Sequence, residues 1–264
     1  MTRRSRLVPG TLLALGIASL AVLVVIPLVA LAARAPWSDA LDRLTTAENA
    51  TALRLSLVVS VAALGLSVVL GFPIAWVLAR VRFPGRRLVR ALVTLPMVLP
   101  PVVGGVALLV AFGRRGLLGQ WLDEWFGVRL AYTTTAAVLA ATFVSLPFFV
   151  VTVEAALRTA DRRYEEAART LGAGPGTVLR RVTLPSIRGA LGAGAALSWA
   201  RALGEFGATL TFAGSFEGRS RTLPLEINRA LERSVDDAIV LSLVLLAVSV
   251  AVLASLRDRW LGTA

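Results

Sequence analysis

Arg201 and Glu205 lie four residues apart inside an otherwise apolar run, residues 190–213. On a helix that spacing puts both side chains on one face, within reach of each other. A charge inside an apolar run is costly and faces either a partner or a water-filled space. The chemistry on offer is therefore electrostatic. Two readings stand side by side. In one, Arg201 lends transient attraction to a passing anion while Glu205 keeps that attraction from becoming a trap. In the other, the two neutralise each other and fix the helix among its neighbours. Gly204 and Gly207 flank the pair and permit close helix approach. A second group, Pro96, Pro100 and Pro101, interrupts the apolar run 91–112 and is followed by Gly104 and Gly105. Each proline removes an N–H donor and frees a carbonyl. Broken backbone at membrane depth persists where protein or a water cavity satisfies it. Pro100 and Pro101 are thus either a kink beside a pathway or ordinary packing features.

A third group sits in the polar stretch 154–188. Tyr164, Ala167, Ala168 and Leu171 recur at i, i+3, i+4 and i+7, the pattern of a short helix with a small apolar face. Asp161 suits its N-cap, and Glu165 and Glu166 suit the positive first turn. Gly172 and Gly174 are placed to end it with positive φ. Pro175 opens a second short helix, and Pro185 precedes the next apolar run. A small-faced helix can sit deep in a groove of another protein; the alternative is a helix lying on lipid headgroups.

Catalytic chemistry has little to work with. The chain has no Cys and no His, and all 28 basic residues are Arg. Thiolate nucleophiles, Cys/His metal sites and the usual general base are absent. Without lysine there is no phosphate-binding loop for ATP. No catalytic, metal or cofactor site is expected, and a membrane enzyme is disfavoured.

The elements that must hold these groups are membrane helices. Hydrophobic residues make up 56% of the 264, and mean hydropathy is +0.76. A spanning helix needs about 20 apolar residues. Six runs qualify, near 12–33, 55–78, 91–112, 134–153, 190–213 and 238–256, with 154–188 as the long connection. The first run is longer than a signal-peptide core and reads as a retained helix. No linker or repeat divides residues 1–264, which read as one transmembrane domain. Arg201 lies 16 residues after Pro185, about 24 Å along an ideal helix, beyond the middle of its run.

Charge orients the runs. Seventeen Arg and five acids fall in the N-terminus, the second and fourth connections and the C-terminus; ten Arg and ten acids fall in the other connections. The net charge of +12 therefore lies on one face, which is assigned to the cytoplasm with both termini. Nucleic-acid binding is not needed to explain it. Trp37, Trp121 and Trp125 read as anchors at the opposite boundary, and Phe148 and Phe149 as lipid-facing or packing residues.

Glu166-Ala167-Ala168-Arg169-Thr170-Leu171-Gly172, nine further residues and then Val182-Thr183-Leu184-Pro185 resemble the EAA loop of ABC importer permeases. That pattern is E-A-A, three residues, G, nine residues, I-x-L-P, and Val182 is the one departure. The resemblance implies a coupling helix seated on a separate ATPase subunit, with Glu166, Ala167, Ala168, Gly172, Leu184 and Pro185 at its core. Leu95-Pro96-Met97-Val98-Leu99-Pro100-Pro101, Arg201-Ala202-Leu203-Gly204-Glu205-Phe206-Gly207-Ala208-Thr209 and Arg221-Thr222-Leu223-Pro224-Leu225 resemble the molybdate permease branch. Sulfate permeases are similar around Gly204-Glu205-Phe206-Gly207. The implied protein is all-α: a polytopic permease with six transmembrane helices in the inner membrane. It works as a homodimer with two ATPase subunits and an external solute-binding protein, importing molybdate or tungstate by alternating access. Sulfate or thiosulfate is the alternative cargo. An ATP-independent channel or secondary transporter is the alternative class, and it has no need of the fourth-connection pattern.

Overall fold

A computed structural model describes residues 10–260. Arg3, Arg4 and Arg6 lie outside the described residues, as do the side chains of Arg257 and Arg259. Among the described residues all regular structure is helical. The first run forms α1 (Gly10–Leu20) and α2 (Ile26–Ala33), joined by a π-helical turn. None of its residues is buried across the span Leu12–Ala33. A short α3 (Ala40–Leu44) leads to α4 (Ala47–Arg80), a helix of 34 residues, about 51 Å at 1.5 Å per residue. Thr46 caps α4 by accepting the Asn49 N–H.

The core is α4 against α8 (Thr134–Thr159). The facing residues are small. Ala63, Ala136, Ala137, Ala140 and Ala141 are fully buried. Water does not drive helices together inside lipid, so small residues that let backbones approach do the packing. Ser67 and Ser145 share a buried hydrogen bond of 3.2 Å between these two helices. The aliphatic residues of α4, such as Val58, Val61 and Val69, point outward. Phe149 is buried in the core, which settles it as a packing residue. Pro147 is buried as well.

Two expected spans are not single helices. The third, 91–112, divides into α5 (Arg86–Val98) and α6 (Pro101–Phe112), bent by 118°. Leu99 and Pro100 between them are extended, with ψ of 133° and 130°. Consecutive prolines cause this: neither donates a backbone N–H, and a residue preceding proline avoids the α region. The fifth, 190–213, divides into α12 (Arg188–Leu203) and α13 (Gly207–Ala213). Arg201 therefore sits 13 residues into α12, nearer 20 Å from its start at 1.5 Å per residue, because the chain between Pro185 and Arg188 is not continuous with that helix. Among the described residues four helices are long and apolar enough to cross a membrane, at Leu12–Ala33, Ala47–Arg80, Thr134–Thr159 and Val235–Val252, or five with the bent pair.

Between these elements lie α7 (Gly119–Phe126), the loop helices α9 (Arg163–Thr170), α10 (Pro175–Val178) and α11 (Leu184–Ser186), then α14 (Leu223–Leu231) and α15 (Val235–Trp260). Trp37 and Trp125 are exposed and Trp121 is nearly half so, in keeping with boundary anchors. The connection expected at 154–188 is shorter at both ends. Helix α8 continues to Thr159, with Glu154 pairing both with Arg158, four residues on, and with Arg90 of α5.

Candidate functional site

Two groups of residues are brought together. The first is the arginine-rich loop after α8. The chain turns at Ala160, and the Asp161 carboxylate accepts the Arg163 N–H at 2.9 Å, covering a donor at the start of α9. The helix closes at Gly172, whose φ is +85°. The Ala173 N–H bonds the Ala168 carbonyl and the Gly172 N–H the Arg169 carbonyl, a paired C-terminal closure that requires a left-handed residue at that point. Gly174 differs from expectation: its φ is −69° with extended ψ, because it serves as N-cap to α10, whose first residue is Pro175.

The exposure pattern of α9 is uneven. Glu166 and Ala167 are exposed and Ala168 is half-buried. Tyr164 is 69% and Leu171 88% exposed. The stripe Tyr164, Ala167, Ala168 and Leu171 is therefore not consumed by packing within the chain. With Val182 and Pro185 it lines an open groove of about 1320 Å³. Leu184 is half-buried. Glu165, which the sequence placed only as a first-turn acid, is buried instead. It receives the Arg80 guanidinium at 2.7 Å and the Thr183 hydroxyl at 3.0 Å. Nothing in the sequence named its burial or its partners, which lie 85 and 18 residues away.

The second group is where the broken spans meet. Helix α6 packs on α13. A Cβ placed on Gly207 would stand 2.9 Å from Pro101 Cβ, and one on Gly105 2.7 Å from Thr211 Cβ and 2.8 Å from the Ala208 carbonyl. Only glycine permits this approach. The Pro100–Pro101 break and the 204–206 break are thus adjacent. Arg201 and Glu205 form the expected ion pair, Nη1 to Oε2 at 2.9 Å, with Glu205 2% and Arg201 29% exposed. Glu205 lies beyond the end of α12, so the pair closes over the break. Its other oxygen accepts the Ala208 N–H at 2.8 Å, covering a donor at the start of α13 and placing negative charge at its positive end. Pro100, Pro101 and Gly204 are exposed on the surface of the chain, as is Val98 beside them.

Three features were not legible in the sequence. Ser56 accepts the Leu223 N–H at 2.6 Å and Ser60 the Trp199 indole N–H at 3.0 Å, tying α14 and α12 to α4. Glu226, 1% exposed, is surrounded by Arg221 at 3.4 Å, Arg229 at 3.8 Å and Arg233 at 3.1 Å. Outside the spans, Asp123 accepts from Arg129 and Arg114, each at 2.9 Å. These guanidinium hydrogen bonds, Arg129's foremost, hold its carboxyl below the usual carboxylate range.

With this geometry in view, comparison with known proteins is direct. Residues 67–263 match the family described as binding-protein-dependent transport system inner membrane component. The chain is 51% identical over 238 residues to the molybdenum transport system permease protein ModB of Mycobacterium tuberculosis, covering 90% of each. It is 37% identical over 258 residues to the sulfate transport system permease protein CysT of Salmonella typhimurium, covering 96% of this chain and 93% of that one. A bacterial ABC transporter involved in alginate import has a chain of similar fold, with a TM-score of 0.68, 19% identity and coverage of 94% and 92%. This chain belongs to the binding-protein-dependent transport system inner membrane components, a family of ABC importer permeases.

Proposed function

We propose that this chain is the permease subunit of an importer that carries molybdate, or the similar tungstate, into the cytoplasm. The observation that carries the cargo assignment is the 51% identity over 90% of the chain to a molybdenum transport permease. The arginine-rich face is cytoplasmic on this reading, which follows from the charge count. Residues 1–264 act as one transmembrane permease domain, in which α5 with α6 and α12 with α13 count as the third and fifth of six crossings.

The loop helix α9 is the docking element. Glu166, Ala167 and Ala168 meet an ATP-hydrolysing subunit, while Gly172, Leu184 and Pro185 set the shape of the loop. The support is that the Tyr164–Leu171 stripe is exposed and the loop carries the spacing of the resemblance. ATP is hydrolysed by the partner, and an external solute-binding protein delivers the anion. Two copies of the chain form the pathway. Support for this comes from the exposed break at Pro100, Pro101 and Gly204 and from a first span with no buried residue, surfaces that one copy leaves open. Arg201, Gly204, Glu205 and Gly207 border that pathway, with Glu205 restraining the half-exposed Arg201. Closing the ATPase pair draws the two α9 helices together and favours the outward-open state. Each partner must bind one state better than the other for this to work.

The test is cellular molybdenum, read by elemental mass spectrometry in cells with and without the gene, in trace molybdate and excess sulfate. Deletion should lower molybdenum at least tenfold and the intact gene should restore it. Glu166→Arg should fail to restore it while still reaching the membrane. Unchanged molybdenum together with a new requirement for cysteine would assign the chain to sulfate instead.

A further inference from the structure

The two adjacent acids of α9 have opposite fates. Glu166 is exposed, whereas Glu165 is buried. One Glu165 oxygen receives both Arg80 at 2.7 Å and Thr183 at 3.0 Å. The other oxygen faces Arg169 of α9 itself at 3.8 Å. Arg80 is the last residue of the 34-residue α4, and its side chain is 9% exposed. Its guanidinium lies 5.9 Å from the Trp76 ring centroid, one turn earlier on the same helix. Thr183 closes the π-helical segment Leu179–Thr183, immediately before the turn into α12. A single carboxylate therefore joins three elements: the loop helix, the inner end of the second span, and the entry to the fifth.

The rest of α9 is lightly held. Its packing is against α10 and the π-helical segment, and its apolar stripe is open. The polar junction is thus the stiff attachment of α9 to the spans. It is also nearly dry, with the Arg80 and Glu165 side chains both largely buried, and charge-assisted hydrogen bonds are stronger where water is excluded.

We propose that Glu165, Arg80 and Thr183 form a latch that carries displacement of α9 to α4 and α12, so that these three are positioning residues for coupling ATP use to transport. The proposal rests on α9 docking an ATPase, and it adds that the link to the spans is this carboxylate rather than the exposed Glu166. A loop tethered only by its backbone would let α9 move without moving α4 or α12, the second of which leads into the break at 204–206. Removing the latch should then separate hydrolysis from transport instead of abolishing both.

The experiment co-expresses the permease with its ATPase and binding protein, reconstitutes the complex in vesicles, and measures ATP hydrolysis and radiolabelled molybdate uptake together. Glu165→Gln should still co-purify with the ATPase and keep basal hydrolysis within about twofold. Uptake should fall about tenfold, so that ATP consumed per molybdate rises at least fivefold. Thr183→Val should move the ratio in the same direction by a smaller factor. Arg80→Lys, which keeps the charge but not the planar fork, should recover part of the coupling that Arg80→Gln loses. An unchanged ratio in both Glu165→Gln and Thr183→Val overturns the latch, as does a proportional fall of hydrolysis and uptake in both. Should Glu165→Gln not accumulate in the membrane, Thr183→Val decides alone by the same ratio. Failure of the unaltered chain to co-purify with an ATPase overturns the functional reading beneath the proposal; co-purification with an unchanged ratio overturns the latch alone.

Discussion

Glu205 performs two tasks with two oxygens, pairing with Arg201 through one and holding the Ala208 N–H through the other. Its substitutions separate them. Glu205→Ala removes both and leaves a half-buried cation, a change expected to cost roughly 3 kcal/mol. Glu205→Gln keeps an acceptor for the Ala208 N–H and loses only the charge, at roughly 1 kcal/mol. Thermal unfolding in detergent should rank the two in that order. A Glu205→Gln protein as stable as the parent yet unable to transport would place the charge in the pathway rather than in the scaffold. Asp123 offers a pH test outside the membrane. Its folded pKa is depressed by Arg129 and Arg114, so the stabilisation it lends is present above the ordinary carboxylate range and is lost as pH falls through the lowered value. Trp121 and Trp125, stacked edge to face on the same helix at 5.2 Å between ring centroids, report it. Their emission should hold steady through the usual carboxylate range and change below it, and Asp123→Asn should remove that late change.

The meeting of α6 and α13 depends on glycine at a few points of contact. Any Cβ at Gly105 would enter both a side chain and a backbone carbonyl of α13, and the carbonyl cannot move aside. Gly105→Val is expected to destabilise by about 2–3 kcal/mol through overpacking and to separate the two half-helices. Gly204→Ala is the control: its nearest neighbour is the Ala200 carbonyl at 3.7 Å, an ordinary contact, so its unfolding midpoint should stay within error of the parent. Equal effects from the two would show that the half-helices are not held by close approach. The same scale explains which parts of the loop were legible. Gly172 and Pro175 act through their own backbone geometry, so spacing revealed them. Glu165 acts through Arg80, 85 residues earlier, and no local pattern pairs them.

For the whole molecule, the distribution of charge bears on orientation in the membrane. The sequence assigns the arginine excess to one face, and the connections assigned to the other pair their Arg with acids, as in the ion pairs of Arg43 with Asp237 and of Glu226 with Arg221 and Arg233. The absence of native cysteine makes orientation directly measurable. Arg87→Cys, in the connection after α4, should react with an impermeant thiol reagent only from the cytoplasmic side. Arg115→Cys, between α6 and α7, should react only from outside. The reverse pattern would invert the protein and remove the docking loop from any cytoplasmic ATPase.

Composition, run length and loop spacing by themselves determined the class: a multi-pass helical membrane protein whose cytoplasm-assigned loop carries the spacing of an importer permease. These are properties of local chemistry, because an apolar run of spanning length, a proline or a left-handed glycine acts where it stands. Only the tertiary structure decided that two of the runs are broken, that the breaks lie against each other, and that Glu165 rather than Glu166 is tied to the spans. Those outcomes depend on which residues meet across tens of positions in the chain. In a membrane interior the meeting surfaces are small residues and serines, such as Ala140, Ser67 and Gly105, and their small size shows that they can be approached closely but not which residue approaches them.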